Sequence, residues 1–289
     1  MKRLAIIGPG KVGRTLAKLF HEAQVFAVGA IVARRSETAA DAADFIGAGR
    51  VKGDPADADI ILVSVPDPEL ESALARLALC DLKPDTIIAH TSGARGLEAF
   101  ASLTGLPVRC VCAHPVKAFS DPDRSVATFV GTMVTLDGEA SAQAELATAF
   151  QAIGAQTLAL PEGVDRTLYH AAIVFMANHL PTLIQAGLET FAQVGISRED
   201  GLSIAGPILR DTLEAVLERG PAAALTGPVA RGDAETVSRH LEKLAAADPD
   251  LAALYAALAR ATADLSAEKG EAPVEGLLAI RELTEPDTN

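Results

Sequence analysis

The stretch Arg3-Leu4-Ala5-Ile6-Ile7-Gly8-Pro9-Gly10-Lys11-Val12-Gly13 decides how the rest of the chain is read. Its first five residues make an apolar run the length of one buried strand, and Thr15 to Phe20 carry the apolar spacing of a helix. Between them Gly8, Gly10 and Gly13 stand at the spacing G-x-G-x-x-G, a pattern with meaning only between a strand and a helix. Gly8 would permit the tight turn, and Gly10 would leave room for a pyrophosphate against bare backbone. Gly13 would let the helix pack close to its strand. The helix N-terminus would add unbonded N–H groups and a partial positive charge. A dinucleotide site over Gly8, Pro9, Gly10, Lys11, Val12 and Gly13 is therefore expected, with a plain strand–helix turn as the alternative.

Phe26 to Val32 reads as a second strand, and it ends at Ala33-Arg34-Arg35-Ser36. A carboxylate roughly 20 residues past the glycines would hold a ribose 2′-OH. Two arginines and a serine stand there instead. Guanidinium forks suit a 2′-phosphate, so Arg34, Arg35 and Ser36 point to NADP(H); a solvated basic turn is the other reading.

Further along, Gly49 to Lys52 suggests a short strand, and Ile60 to Val65 is an apolar run of the kind a parallel strand buried on both faces requires. Val65-Pro66 ends it beside the expected cofactor. Thr86 to Ala89, Val108 to Ala113, Thr132 to Leu136 and Gln156 to Leu160 read as strands, with helices between them. This alternation predicts an α/β fold with a doubly wound, mostly parallel sheet over residues 1–160. Ligands in such sheets lie outside the carboxyl ends of the strands, where Pro66, Ser92 and His114 would stand. Past Pro161 the spacing is helical: about Arg166 to Val194, Ser197 to Glu218, Ala234 to Ala246 and Leu251 to Ser266. An all-helical second domain over 161–269 and a loosely attached tail over 270–289 follow.

The formal net charge of −13 argues against a nucleic-acid partner. Three cysteines without a C-x-x-C pair give no disulfide framework, which points to the cytoplasm. Ala171 to Ile184 is apolar but is interrupted by Asn178, His179 and Pro181, so no membrane span is expected. No histidine pair has close metal-ligand spacing, and no metal is expected.

Hydride transfer needs a donor or acceptor for the substrate proton, and anchors for the substrate. Ser92 and Gly93 follow a buried strand and offer a hydroxyl and bare N–H groups, or form an ordinary turn. His114, extended before Pro115, stands at another strand end with Lys117 three residues on; it is either a proton carrier or a structural histidine. His170, Val174 and Asn178 are spaced by four and would share a helix face, turned to substrate in an interdomain cleft or to the facing domain. Arg231, in Thr226 to Asp233, could reach a substrate anion, while Asp233 suits a helix cap.

Taken together, Gly8 to Gly13, His90-Thr91-Ser92-Gly93, His114-Pro115 with Phe119, Tyr169-His170-Ala171-Ala172 with Asn178, and Thr226-Gly227-Pro228 with Arg231-Gly232-Asp233 resemble a family of Rossmann-like proteins. The C-terminal half of that family is known only as a domain of unknown function. The wider group includes pyrroline-5-carboxylate reductase, deazaflavin-dependent NADP reductase and the β-hydroxyacid dehydrogenases. The resemblance implies NADP(H) binding in the first domain, a second domain like the C-terminal one of 6-phosphogluconate dehydrogenase, and a homodimer formed through it. It also implies a departure: β-hydroxyacid dehydrogenases carry a catalytic Lys four residues before the Asn on the first long helix, where this chain has Val174.

The expectation is an NADP(H)-dependent oxidoreductase acting on a small carbonyl, imine or hydroxy acid. Ser92, Gly93, Lys117, Asn178 and Arg231 would bind substrate, Ser92 and Asn178 orienting it, and His170 or His114 would move the proton. The alternative is a non-catalytic NADP(H)-binding sensor or scaffold dimer.

Overall fold

The apolar runs assemble into one seven-stranded sheet in the computed structural model, which describes residues 1–286. In chain order the first part comprises β1 (Arg3–Ile7), α1 (Lys11–Glu22), β2 (Ala27–Val32), α2 (Ser36–Ile46), β3 (Ile60–Val63), α3 (Asp67–Leu77) and β4 (Ile87–His90). It continues with β5 (Arg109–Pro115), α4 (Pro122–Ala127), β6 (Met133–Gly138), α5 (Ala140–Ala152) and β7 (Gln156–Ala159). In space the strands lie β2-β1-β3-β4-β5-β6-β7. Every residue of β3 and β4 is buried, as strands covered on both faces require. One apolar layer gathers Leu16, Phe20, Ile46 and Phe150, and the other Leu70, Leu74, Ile88 and Phe100.

The sheet is mostly parallel, and the exception is informative. β6 runs antiparallel to β5, pairing Thr135 with His114, and β7 then runs parallel to β6. A parallel neighbour needs a crossover that returns the chain to the far end of the sheet. The segment between β5 and β6 contains only the 6-residue α4, about 9 Å long at ~1.5 Å per residue. The chain therefore re-enters the sheet at the rim where β5 left it. One smaller expectation fails. Gly49 to Lys52 forms no strand, because only Arg50 bridges to Ala30 before the chain turns away. Leu97–Leu103, between β4 and β5, winds as a 3₁₀ helix.

The remainder is helical: α6 (Arg166–Ile173), α7 (Leu180–Gln193), α8 (Arg198–Arg219), α9 (Pro221–Ala224), α10 (Ala234–Ala247), α11 (Pro249–Lys269) and α12 (Val274–Leu283). The helix expected from Arg166 to Val194 is broken by a π turn over Val174–Asn178. Pro181 fits the restart: lacking an N–H and clashing with the preceding turn, it disfavours a helix interior and is accommodated in the first turn of α7. The π turn also removes the simple four-residue register that would have put Val174 and Asn178 on one stripe.

The chain divides into two compact units, Met1–Met176 and Ala177 onward. The first reaches past residue 160 because α6 is bonded into it through Arg166 and Tyr169. In the second, α12 corrects the expectation of a loose tail. Leu277 and Ile280 are buried with Val229, Val237, Ala259 and Ala263. Gly270, at φ 74°, ends α11 and Pro273 precedes α12, so the residues that resemble a terminus are a connection between helices. Residues 287–289 of that segment lie outside the described residues.

Candidate active site

The turn after β1 is built as its glycines require. Gly8 has φ 81° and donates to the Val32 carbonyl at 2.9 Å; a Cβ there would stand 2.6 Å from the Ser64 carbonyl oxygen. A Cβ on Gly13 would come 2.7 Å from the Gly8 oxygen, so α1 packs against its own turn. Gly10 differs: nothing lies within 4 Å of the position its Cβ would take. It opens onto a cavity of about 980 Å³ outside the carboxyl ends of β1, β2 and β3. No side chain caps the N-terminus of α1, leaving it to an exogenous anion. The cradle fits a dinucleotide.

Gly8, Pro9, Gly10, Arg34, Arg35, Val65 and Pro66 all line that cavity. Lys11, Val12, Gly13 and Ser36 are not among its lining residues: the first three form the opening of α1 and Ser36 the first residue of α2. The sequence reading missed Thr38, Ser72 and Arg76, which also line it, and Glu69, whose Oε1 lies 2.9 Å from Nη1 of Arg34. Glu69 comes from a different element than Arg34, and no local spacing could have paired them.

A second cluster lies at the ends of β4 and β5, where α6 packs. His114 Nδ1 is 3.0 Å from the Tyr169 hydroxyl, which is 2.9 Å from Thr135 Oγ1. Thr135 reaches this rim because β6 starts there; a parallel strand would have presented its last residues instead. The His114 and His170 rings are 6.4 Å apart between centroids. Gly93 fills the space between them: a Cβ there would be 2.7 Å from His170 Cδ2 and 2.8 Å from His114 Cε1. Burial, reinforced by the Arg166 guanidinium and by His170, pulls the His114 pKa down to about 4, so the ring is neutral at neutral pH.

Arg166 orders this cluster and was not singled out from sequence. Only 5% exposed, it donates from Nη2 to the Ser92 carbonyl at 2.9 Å and lies 4.8 Å over the Tyr169 ring. Ser92 Oγ accepts from the Arg95 N–H at 3.0 Å, closing the turn. Behind it His90 is fully buried, with Nε2 3.1 Å from Cys112 Sγ and 3.3 Å from the Gly96 carbonyl oxygen. Burial also lowers its pKa to about 4.

Of the other expected substrate residues, Lys117 stands outside this cluster and two belong to the second unit. Lys117 donates to the Thr128 carbonyl at 2.8 Å, at the end of α4. Asn178 and Arg231 are exposed residues of the second unit. Arg231 ends a 3₁₀ turn, followed by Gly232 at φ 69°, and Asp233 caps α10 by accepting from the Thr236 N–H at 3.0 Å. The Gly232 carbonyl oxygen would lie 2.2 Å from a Cβ on Gly276, so the glycine of this motif serves the packing of α12. By length and composition alone, Arg166–Gln193 is apolar enough to cross a membrane. Its first turns are instead held in the first unit by the Arg166 and Tyr169 bonds described above.

Residues 2–115 match a Rossmann-like domain, and residues 132–262 match a domain of unknown function designated DUF2520. No curated protein matches the chain. Among solved structures, a Bacteroides fragilis protein provisionally named an NADP oxidoreductase is 21% identical with a TM-score of 0.73, over 90% of this chain and 97% of its own. A 1-pyrroline-5-carboxylate reductase from Streptococcus pyogenes is 16% identical with a TM-score of 0.62, over 93% and 98%. An imine reductase from Myxococcus stipitatus, solved with NAD+, is 20% identical with a TM-score of 0.61, over 97% and 99%. At these identities the likeness is one of fold.

Proposed function

From a chain that joins a Rossmann-like domain to a DUF2520 domain, we propose an NADP(H)-dependent oxidoreductase acting on a small carbonyl, imine or hydroxy acid. The observation that carries this reading is the Gly10 position, which opens on a cavity large enough for a dinucleotide and edged by Arg34 and Arg35. The arginines favour the phosphorylated cofactor. A bound reduced nicotinamide would supply a hydride to the substrate carbon.

The chain's own part is the proton. We take the tautomer in which the Tyr169 hydroxyl donates to Nδ1, which leaves the proton of neutral His114 on Nε2, on the side of Gly93. A neutral imidazole N–H can polarise a carbonyl or imine and deliver its proton as the carbon is reduced. This supplies what Val174 cannot, being aliphatic at the position where the related dehydrogenases carry Lys. Ser92 and Gly93, fixed by Arg166, bind and orient the substrate, and His170 flanks it. The three free thiols suit a reducing cytoplasm.

We further propose that the helical unit forms a homodimer. Leu202, Ile208, Leu213 and Leu217 are exposed around α8, and a monomer rarely leaves so much apolar surface in water. A non-catalytic nucleotide-binding dimer is the second reading, favoured by Val174 alone. Titration calorimetry with NADPH and NADH, followed by turnover on a carbonyl and imine panel, decides between them. Tight NADPH binding with turnover supports the enzyme, tight binding without turnover supports the second reading, and no heat with either nucleotide defeats both.

A further inference from the structure

The end of β2 and the first turn of α3 meet across the cavity with opposite charges. Arg34, Arg35 and Arg76 line it, and Glu69 is the one carboxylate among its described lining residues. Glu69 stands in the first turn of α3, where the helix dipole favours a carboxylate. Its Oε1 lies 2.9 Å from Nη1 of Arg34. The Arg34 side chain is 82% exposed, so the pair is screened and exchangeable rather than locked.

We propose that Glu69 sets how strongly the cavity prefers a 2′-phosphorylated dinucleotide, by holding Arg34 in an ion pair that the phosphate has to displace. The inference rests on Arg34 being a 2′-phosphate ligand, as read above. A phosphate monoester carries more negative charge than a carboxylate and three acceptor oxygens, so it wins the competition for the guanidinium. Glu69 nevertheless opposes it twice, by occupying Arg34 and by standing close to the incoming phosphate as a like charge. An unphosphorylated ribose makes no demand on Arg34 and brings no charge near Glu69. The carboxylate therefore lowers the affinity for one cofactor and leaves the other nearly untouched. An apolar or amide side chain at this position would give a more selective cavity.

The test measures dissociation constants of NADPH and NADH, by calorimetry and nicotinamide fluorescence, for the wild type, Glu69→Gln, Arg34→Gln and the double variant. Glu69→Gln is expected to tighten NADPH by about two- to fivefold, the worth of an exposed ion pair, with NADH unchanged. In the Arg34→Gln background the gain should shrink, and in the parent it should fade as salt rises. If Glu69→Gln leaves NADPH unchanged, weakens it, or tightens both nucleotides alike while the wild type prefers NADPH, the role of Glu69 is overturned and the cofactor reading stands. A wild type without preference for NADPH overturns both.

Discussion

The two units solve the problem of apolar surface in opposite ways. In the first, strands and helices bury one another: β3 and β4 have no exposed residue, and Phe20, Phe129 and Phe150 are almost completely enclosed. In the second, α10, α11 and α12 surround a small core, while the 22 residues of α8 bury only Gly201. A helix with leucines and isoleucines on the outside gains little from propensity alone and needs tertiary cover. The lesson is that the two units separate two properties: the packed unit holds its polar clusters among buried neighbours, and the other leaves apolar side chains of α8 in the open, which is the surface the proposed dimer would use.

Breaking the packed unit's chemistry should have the largest effect. His114→Ala is expected to lower kcat by roughly 10²- to 10⁴-fold, the usual worth of a positioned proton donor, with NADPH affinity kept. Breaking the other side of the comparison, Ile208→Asp with Leu213→Asp should weaken self-association by at least about 100-fold. Sedimentation at several concentrations reads it, and a wild type that is monomeric throughout refutes the dimer.

Acid should separate the units further. His90 and His114 both have folded pKa values near 4, below their unfolded 6.5, so the unfolded chain binds more protons as pH falls. Stability of the first unit is flat above pH 6.5 and declines from there toward pH 4. Each histidine contributes on the order of 2 kcal/mol of that loss by pH 5. Hydrogen exchange followed at pH 7 and pH 5 should show the sheet opening, and His114→Gln should reduce the slope. Comparable in energy is Gly8→Ala, which forces a side chain into a left-handed backbone against the Ser64 carbonyl. It should cost about 1–3 kcal/mol in the first unit and abolish NADPH binding.

What could be read from sequence follows the range of the interactions. The strand, glycine turn and helix from Arg3 to Phe20 were legible because each glycine answers to backbone geometry a few residues away. The direction of β6 was not, since a short apolar run reads alike in either orientation and only the meagre α4 decides it. The π turn was hidden for a similar reason: Pro181 signals an interruption but not its form. His114 and Ser92 could be picked out as strand-end residues. Their partners Tyr169, Thr135 and Arg166 come from β6 and α6, and no sequence spacing records that these elements meet. Leu277 and Ile280 do show helical spacing, but Gly270 and Pro273 gave their helix the look of a fraying end.

The placement of Gly93 has a genetic consequence. Because two imidazoles close on a residue with no side chain, adding a single methyl there would prise the rings apart while leaving the nucleotide cradle at the other strands intact. For the proposed oxidoreductase, capture of the coenzyme and turnover would thus be lost independently, and an alanine at this one position is expected to yield a protein that loads but does not react.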